Sequence, residues 1–235
     1  MDYTILLPVY NNHLLFKNYT YLFIKQYNLE DKCIMLIQND KDAEDYAQFK
    51  DIKQERTPQG KGASINYMSH ILPLDCNIVC IDDDVTGLMD INQKYIRDVN
   101  ELFIEMFSTM NKENITLGGF YAVANPFFMK NRPEITTHLA FCVGSLFLFI
   151  NRGILLEPDC GKQDYMFSIE NFKECGKVMR YNHVAIRFQY EGNLEKSGDL
   201  EDFVSRYGEY IQYVRHHKKK NTTSIVLKKL ETELR

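Results

Sequence analysis

Asn77-Ile78-Val79-Cys80-Ile81-Asp82-Asp83-Asp84 decides the fold. A short apolar run rich in β-branched residues reads as a strand buried on both faces. It ends without a spacer in three carboxylates. Adjacent carboxylates repel one another unless solvent or a cation neutralises them. Hard cations such as Mg²⁺ and Mn²⁺ prefer carboxylate oxygens and also bind substrate phosphates. Residues i and i+2 of an extended segment point the same way. Asp82 and Asp84 therefore face one side and Asp83 the other. The plain alternative is a solvated acidic turn.

Working outward, strand and helix signals alternate. Tyr3 to Leu7 is an apolar run closed by Pro8, and Cys33 to Ile37 is another. Residues 51–56 form a weaker strand. Apolar positions in 13–27 recur at helical spacing. Thr57 to Gly62 has loop composition and leads into a helix over Ala63 to Ile71. Residues 91–110 read as a long amphipathic helix. This order implies an α/β fold with a mostly parallel mixed sheet. Ligands in such sheets bind beyond the carboxyl ends of the strands. Three polar segments lie there: Val9 to Asn12, Gln38 to Asp42, and Asp82 to Asp84.

The second half changes character. Ile115 to Ala124, Cys142 to Ile150 and Val178 to Tyr190 read as strands, and 163–174 as a helix. Residues 200–220 give a helix ending in Arg215-His216-His217-Lys218-Lys219-Lys220. Two segments follow: a domain over 1–199 and a helical basic C-terminal appendage over 200–235.

At 235 residues, 45% hydrophobic and 26% charged, the chain has the composition of a globular domain, which excludes disorder, collagen and a coiled coil as the main architecture. The net charge of −4 argues against a nucleic-acid-coating protein. It is unevenly spread, however. Residues 205–235 hold eight Lys/Arg against three Glu, a balance of +5, which leaves −9 on residues 1–204. The six cysteines form no C-x-x-C pair and read as buried thiols of a reducing compartment. MDYTILLPVY lacks a signal-peptide pattern, and the longest apolar run, Leu139 to Ile150, is too short to span a bilayer. A cytoplasmic location and no membrane span are expected.

These motifs resemble the GT-A glycosyltransferases, Rossmann-like enzymes that use nucleotide-sugar donors. The resemblance rests on Asp82-Asp83-Asp84 as a D-x-D after an apolar strand and on Pro8-Val9-Tyr10-Asn11 after the first strand. It rests further on Asp40 after the second strand and on Gln59-Gly60-Lys61-Gly62-Ala63-Ser64-Ile65-Asn66 before the D-x-D strand. It implies a donor site with Pro8, Tyr10, Asn11, Asp40, Lys61, Asn66, Asp82 and Asp83. It also implies Mn²⁺ or Mg²⁺ held by Asp84, Asp82 and His183, and a UDP-sugar as first-choice donor. Asp164, opening a helix in Gln163-Asp164-Tyr165-Met166-Phe167, matches the carboxylate that serves inverting members as general base. Its alternative is helix capping. Lys61 has a surface lysine as its alternative, and His183 a structural histidine.

A narrower likeness rests on Gly118-Gly119-Phe120-Tyr121, Asn125-Pro126-Phe127-Phe128, Gln163 to Phe167 and Asn182-His183. With these, residues 3–190 are similar to the TET-associated glycosyltransferases of phages, which modify hydroxymethylpyrimidines in DNA. This implies a DNA acceptor, with Tyr121 and Asn125 near it and Arg215 and Lys218 of the basic end on its phosphates. Two other readings compete. Asp82-Asp83-Asp84-Val85-Thr86 also fits the D-x-D-x-T of haloacid-dehalogenase-like phosphatases, although there the motif closes the first strand of the domain. A non-catalytic nucleic-acid-binding module would use the basic end and leave the carboxylates unexplained.

Overall fold

The computed structural model describes residues 1–156, 162–189, 199–217 and 222–230. Its elements in chain order are β1 (Thr4–Pro8), α1 (His13–Asn18), α2 (Thr20–Gln26), β2 (Cys33–Ile37), α3 (Asp40–Tyr46), β3 (Lys53–Arg56) and α4 (Lys61–Ile71). Then come β4 (Asn77–Ile81), β5 (Val85–Asp90), α5 (Val99–Glu113), β6 (Leu117–Tyr121), α6 (Pro126–Met129), β7 (Ile135–Thr136) and β8 (Leu146–Ile150). The last are α7 (Gln163–Cys175), β9 (Met179–Phe188), α8 (Asp199–Tyr207), β10 (Ile211–His217) and β11 (Thr222–Leu227).

The apolar runs are strands for a physical reason. β1, β2, β4 and β8 sit inside the sheet, so residues on both of their faces are buried. Alternate residues feed two cores. Ile5, Leu7, Met35, Val79 and Ile81 pack with α5, while Leu6, Ile34, Leu36, Ile78 and Cys80 pack with α4 and α7. Phe203 and Tyr207 of α8, and Ile211, Ile225 and Leu227 of β10 and β11, join the second core. Within α5, buried Val99, Phe103, Met106, Phe107 and Met110 follow the helical repeat. Asp98 caps its start and Asn114, at φ 54°, turns the chain out of it.

The sheet runs β3-β2-β1-β4-β8-β6-β9-β5, with β7 beside β9. The pairings make it mixed. β1, β2, β3, β4, β6 and β9 run one way, and β5, β7 and β8 the other. Four strand spacings, about 19 Å, separate β4 from β5 along the sheet. The chain from Ile81 to Val85 reaches only about 14 Å. The sheet therefore curls until its far edge returns to the end of β4, and Asp82 to Asp84 bridge that gap.

Several sequence expectations change. Residues 13–27 form two helices rather than one, broken at Tyr19 so that Thr20 turns inward. The polar stretch after β2 holds α3, started by Asn39, whose side chain accepts from the Asp42 N–H. β5 intervenes before the long helix, which begins at Val99 rather than 91. Helix α8 stops at Tyr207, and the residues after it form a hairpin, with Val214 opposite Ile225 and Arg215 opposite Ser224. The helical reading of 200–220 is therefore corrected. Gly208 ends the helix, and Ile211, Tyr213 and Val214 supply a β-prone run. The expected turn Pro158 to Gly161, with Cys160, and the basic residues Lys218 to Lys220 lie outside the described residues. Cys33, Cys76, Cys80, Cys142 and Cys175 are free thiols. No described helix is long and apolar enough to cross a membrane.

Candidate active site

An open cleft of about 710 Å³ lies at the carboxyl ends of β1, β2 and β4. This size is typical of small-molecule sites. Pro8, Tyr10, Gln38, Lys61, Asp82, Asp83, Asp84 and Asp164 all line it. Backbone bonds hold the carboxylate segment at both ends. The Asp82 N–H donates to Ser145 O (2.9 Å), continuing the β4–β8 pairing, and Asp84 O accepts from the Gln189 N–H (2.9 Å) just beyond β9. Thr20, fully buried, clamps it from below. Its hydroxyl donates to Asp82 O (2.6 Å) and accepts from the Val85 N–H (2.9 Å).

The three carboxylates have different partners. Asp82 is paired with Lys61, Nζ to Oδ1 2.6 Å, with both side chains 27% exposed. Burial works against the Lys61 ammonium, but the Asp82 carboxylate outweighs it, so the pKa of Lys61 lies above the usual lysine value. Asp83 and Asp84 have no cationic partner among the described residues. Burial, reinforced by Asp82 and Asp84, pushes Asp83 up to about 7. Burial and then Asp82 push Asp84 up to about 6. Two partly buried, mutually repelling carboxylates in a cleft suit a hard divalent cation that takes its other ligands from phosphate and water. Among the described residues, no group of three or more His, Cys, Asp or Glu is placed to hold a metal by protein ligands alone.

Asp164 enters from the other wall. Lys61 Nζ donates to Gly144 O (2.8 Å), and the N–H of the same glycine donates to Asp164 Oδ2 (2.9 Å). One glycine thus ties the lysine to the aspartate. A methyl at position 144 would stand 2.6 Å from Asp164 Cγ and Oδ2 and nearer still to Oδ1. Only glycine admits the carboxyl there. Burial raises the pKa of Asp164, opposed by Lys61 and the Gly144 N–H. The capping alternative is not how this side chain is used. The residue before α7 is Lys162, and the Asp164 carboxylate turns to Gly144 instead.

Other expected residues lie elsewhere. Asp40 opens α3, is 96% exposed and pairs with Arg56 (3.0 Å). Gln38 takes the position after β2, donating to Val9 O and accepting from the Gly60 N–H. Asn11, at φ 52°, gives its N–H to Asp42 Oδ1 and is replaced at the cleft by Asn12. Asn66 lies five residues past Lys61, about 140° around α4. It bonds the backbone of Leu156 at both amide atoms. His183 lies midway along β9, bonds Arg132 O (2.9 Å) and is not among the residues that line the cleft. It does not join Asp84. Tyr121 lies outside the cleft, under the guanidinium groups of Arg132 and Arg180 (5.1 and 5.4 Å). Asn125 caps α6 through the Phe127 N–H (3.0 Å). Arg215 lies over the ring of Tyr213 on β10 (5.7 Å), and Lys218 is outside the described residues.

Thr20, Gln38 and Gly144 were not singled out from sequence. Gly144-Ser145, breaking an apolar run just before a strand, was the available sign of a close backbone approach.

No protein-family model and no curated protein matches the sequence. Solved structures do match in shape. GalNAc-T7 with UDP, GalNAc and Mn²⁺ aligns at TM-score 0.58 and 12% identity, over 88% of this chain and 48% of that one. Residues 1–349 of TarS from S. aureus align at 0.54 and 10%, over 79% and 60%. The mannosyltransferase PcManGT from Pyrobaculum calidifontis, in complex with GDP-Man and Mn²⁺, aligns at 0.52 and 13%, over 86% and 60%. The fold is of the GT-A type. In it, the carboxylates close the fourth strand in chain order, not the first as the phosphatase motif requires. The chain spans about half to three-fifths of the length of these structures.

Proposed function

We propose that this chain is a metal-dependent glycosyltransferase that moves a sugar from a nucleotide-sugar donor, a UDP-sugar first, to an acceptor hydroxyl. The observation that carries the reading is the pairing within one cleft of two kinds of carboxylate. Asp83 and Asp84 lack a cationic partner among the described residues, and Asp164 is half-buried against Gly144. The GT-A fold and the Mn²⁺ in two of the matched transferase structures support it.

Asp84 would hold Mn²⁺ or Mg²⁺, which supplies charge neutralisation for the leaving diphosphate, with Asp83 beside it in place of the expected Asp82, since all three line the cleft and Lys61 already pairs Asp82. Asp82 fixes Lys61 at the floor of the cleft, and Lys61 in turn fixes the Gly144 peptide. Asp164 Oδ1 has no hydrogen-bond partner among the described residues. In the proposed reaction it takes the proton of the acceptor hydroxyl as that oxygen bonds to the anomeric carbon. The bond from that carbon to the diphosphate breaks in the same displacement. The raised pKa of Asp164 favours such a base.

For the acceptor we propose the hydroxyl of a 5-hydroxymethylpyrimidine in DNA, on the strength of the +5 balance over residues 205–235 and Arg215 on the hairpin. A screen of nucleotide sugars for Mn²⁺-dependent hydrolysis tests the donor half, with Asp84→Ala as control. Turnover of at least one donor that is lost in the variant is expected. No turnover of any donor would overturn it. Label transferred to a glycan or protein, but not to hydroxymethylated DNA, would overturn the acceptor.

A further inference from the structure

Beside the cleft, two adjoining hollows of about 580 and 270 Å³ share Arg132, His138 and Lys229. Phe127 and Phe128 of α6 project into the first, 72% and 50% exposed, with their rings 5.2 Å apart and nearly perpendicular. Ile225, Val226 and Leu227 of β11 wall the second, together with Tyr121 and Arg180. Among the described residues, no acidic side chain lines either hollow. Arg132, Arg180 and Lys229 have no carboxylate partner among the described residues. Large apolar rings left in water beside unneutralised cations are costly to keep unless something covers them.

The sheet register places this groove. Phe147 of β8 pairs with Cys80 on one side and Gly119 on the other. Two residues further along their parallel strands come Asp82 and Tyr121. Tyr121, on the wall of the second hollow, therefore stands at the same edge of the sheet as the carboxylates, two strand spacings or about 10 Å across from Asp82. The Gly144–Asp164 wall lies before β8, the strand between.

We propose that the groove between α6 and the β10–β11 hairpin binds an unpaired stretch of nucleic acid, with its bases on Phe127 and Phe128 and its phosphates on Arg132, Arg180 and Lys229. The chemistry favours this occupant. A cationic track interleaved with exposed rings is how single strands are held without base-edge readout, because every base has a face to stack and every step a phosphate. A neutral glycan would use the rings and leave the cations unmatched. An acidic peptide would use the cations and leave the rings uncovered. The inference names the acceptor class of the proposed transferase and rests on that reading only for what happens after binding.

The test is therefore made without donor and in EDTA, by fluorescence anisotropy of a labelled oligothymidylate on the full chain. Binding should weaken about tenfold or more in Phe127→Ala/Phe128→Ala. Both rings are exposed, so their truncation leaves the core intact. Arg132→Gln and Lys229→Gln should each flatten the salt dependence by about 0.7 of a log unit per log unit of salt. Poly-glutamate of equal charge should not displace the strand. The proposal is overturned if the oligonucleotide does not bind, if the double phenylalanine variant binds it unchanged, or if poly-glutamate competes equally. Donor turnover with no oligonucleotide binding would sink this inference and leave the transferase standing.

Discussion

Replacing Gly144 by alanine isolates the wall that carries Asp164. The new methyl would lie 2.6 Å from Asp164 Cγ and Oδ2, whereas carbon and oxygen normally approach to about 3.3 Å. The carboxyl must therefore retreat by about 0.7 Å or more, and its bond from the Gly144 N–H stretches with it. Gly144 is not among the residues with positive φ, so its backbone admits alanine. Misplacing a reacting group by about 1 Å costs on the order of 10²-fold, or ~2.7 kcal/mol of barrier. The expected result is a fall in kcat of about 10²-fold with the donor Kd changed by less than about threefold. Steady-state kinetics and calorimetric donor binding read the two quantities. A double-mutant cycle sharpens the test. In the Asp164→Ala background there is no carboxyl to displace, so Gly144→Ala should add almost nothing. An unchanged kcat in the single variant, or a full additional loss in the double, would refute the account of this wall.

Other consequences follow from the carboxylate loop. Thr20→Val removes the hydroxyl that bonds Asp82 O and Val85 N. A buried donor and acceptor left bare should lower stability by about 1–3 kcal/mol, with a weaker Mn²⁺ affinity as the loop loosens; denaturant unfolding and metal titration check both. Asp83 and Asp84 titrate near 7 and 6, above the usual carboxylate value. The folded metal-free chain thus holds more protons than the unfolded one between about pH 4 and 7, and its stability should fall as pH rises through that window. Thermal unfolding in EDTA should show this fall, and Asp83→Asn/Asp84→Asn should lessen it, leaving only the share of the raised Asp164. The same protons compete with metal, so Mn²⁺ should bind more weakly at pH 5.5 than at 7.5, a dependence that the same titration reads at both pH values.

The strands of the first half were legible because burial on both faces leaves an unbroken apolar run, as in Ile78 to Ile81 and Cys33 to Ile37. From that run and its three aspartates followed the parallel start of the sheet and the cleft at its mouth. Pro8, Tyr10, Lys61 and Asp164 also meet there, brought from three places along the chain. What failed depended on packing that has no local signature. Asp40 and Asn66 have the right chemistry but are turned away, Asp40 by its place at the start of α3 and Asn66 by the rotation of α4. His183 has the right neighbours in sequence but sits midway along β9, turned to Arg132 O, a placement that only the fold reveals. The hairpin was read as a helix because its charges masked the β-prone run Ile211 to Val214. Thr20 and Gly144 matter through what the curled sheet brings against them, and neither carries charge to attract notice.

The central claim is that this cleft holds a nucleotide sugar through a cation bound at Asp84. Calorimetric titration of UDP- and GDP-sugars into the full chain, with and without Mn²⁺, tests it most directly. The account predicts binding of at least one donor that requires Mn²⁺ and disappears in Asp84→Ala. Binding that is equal without metal, or undiminished in Asp84→Ala, would contradict it.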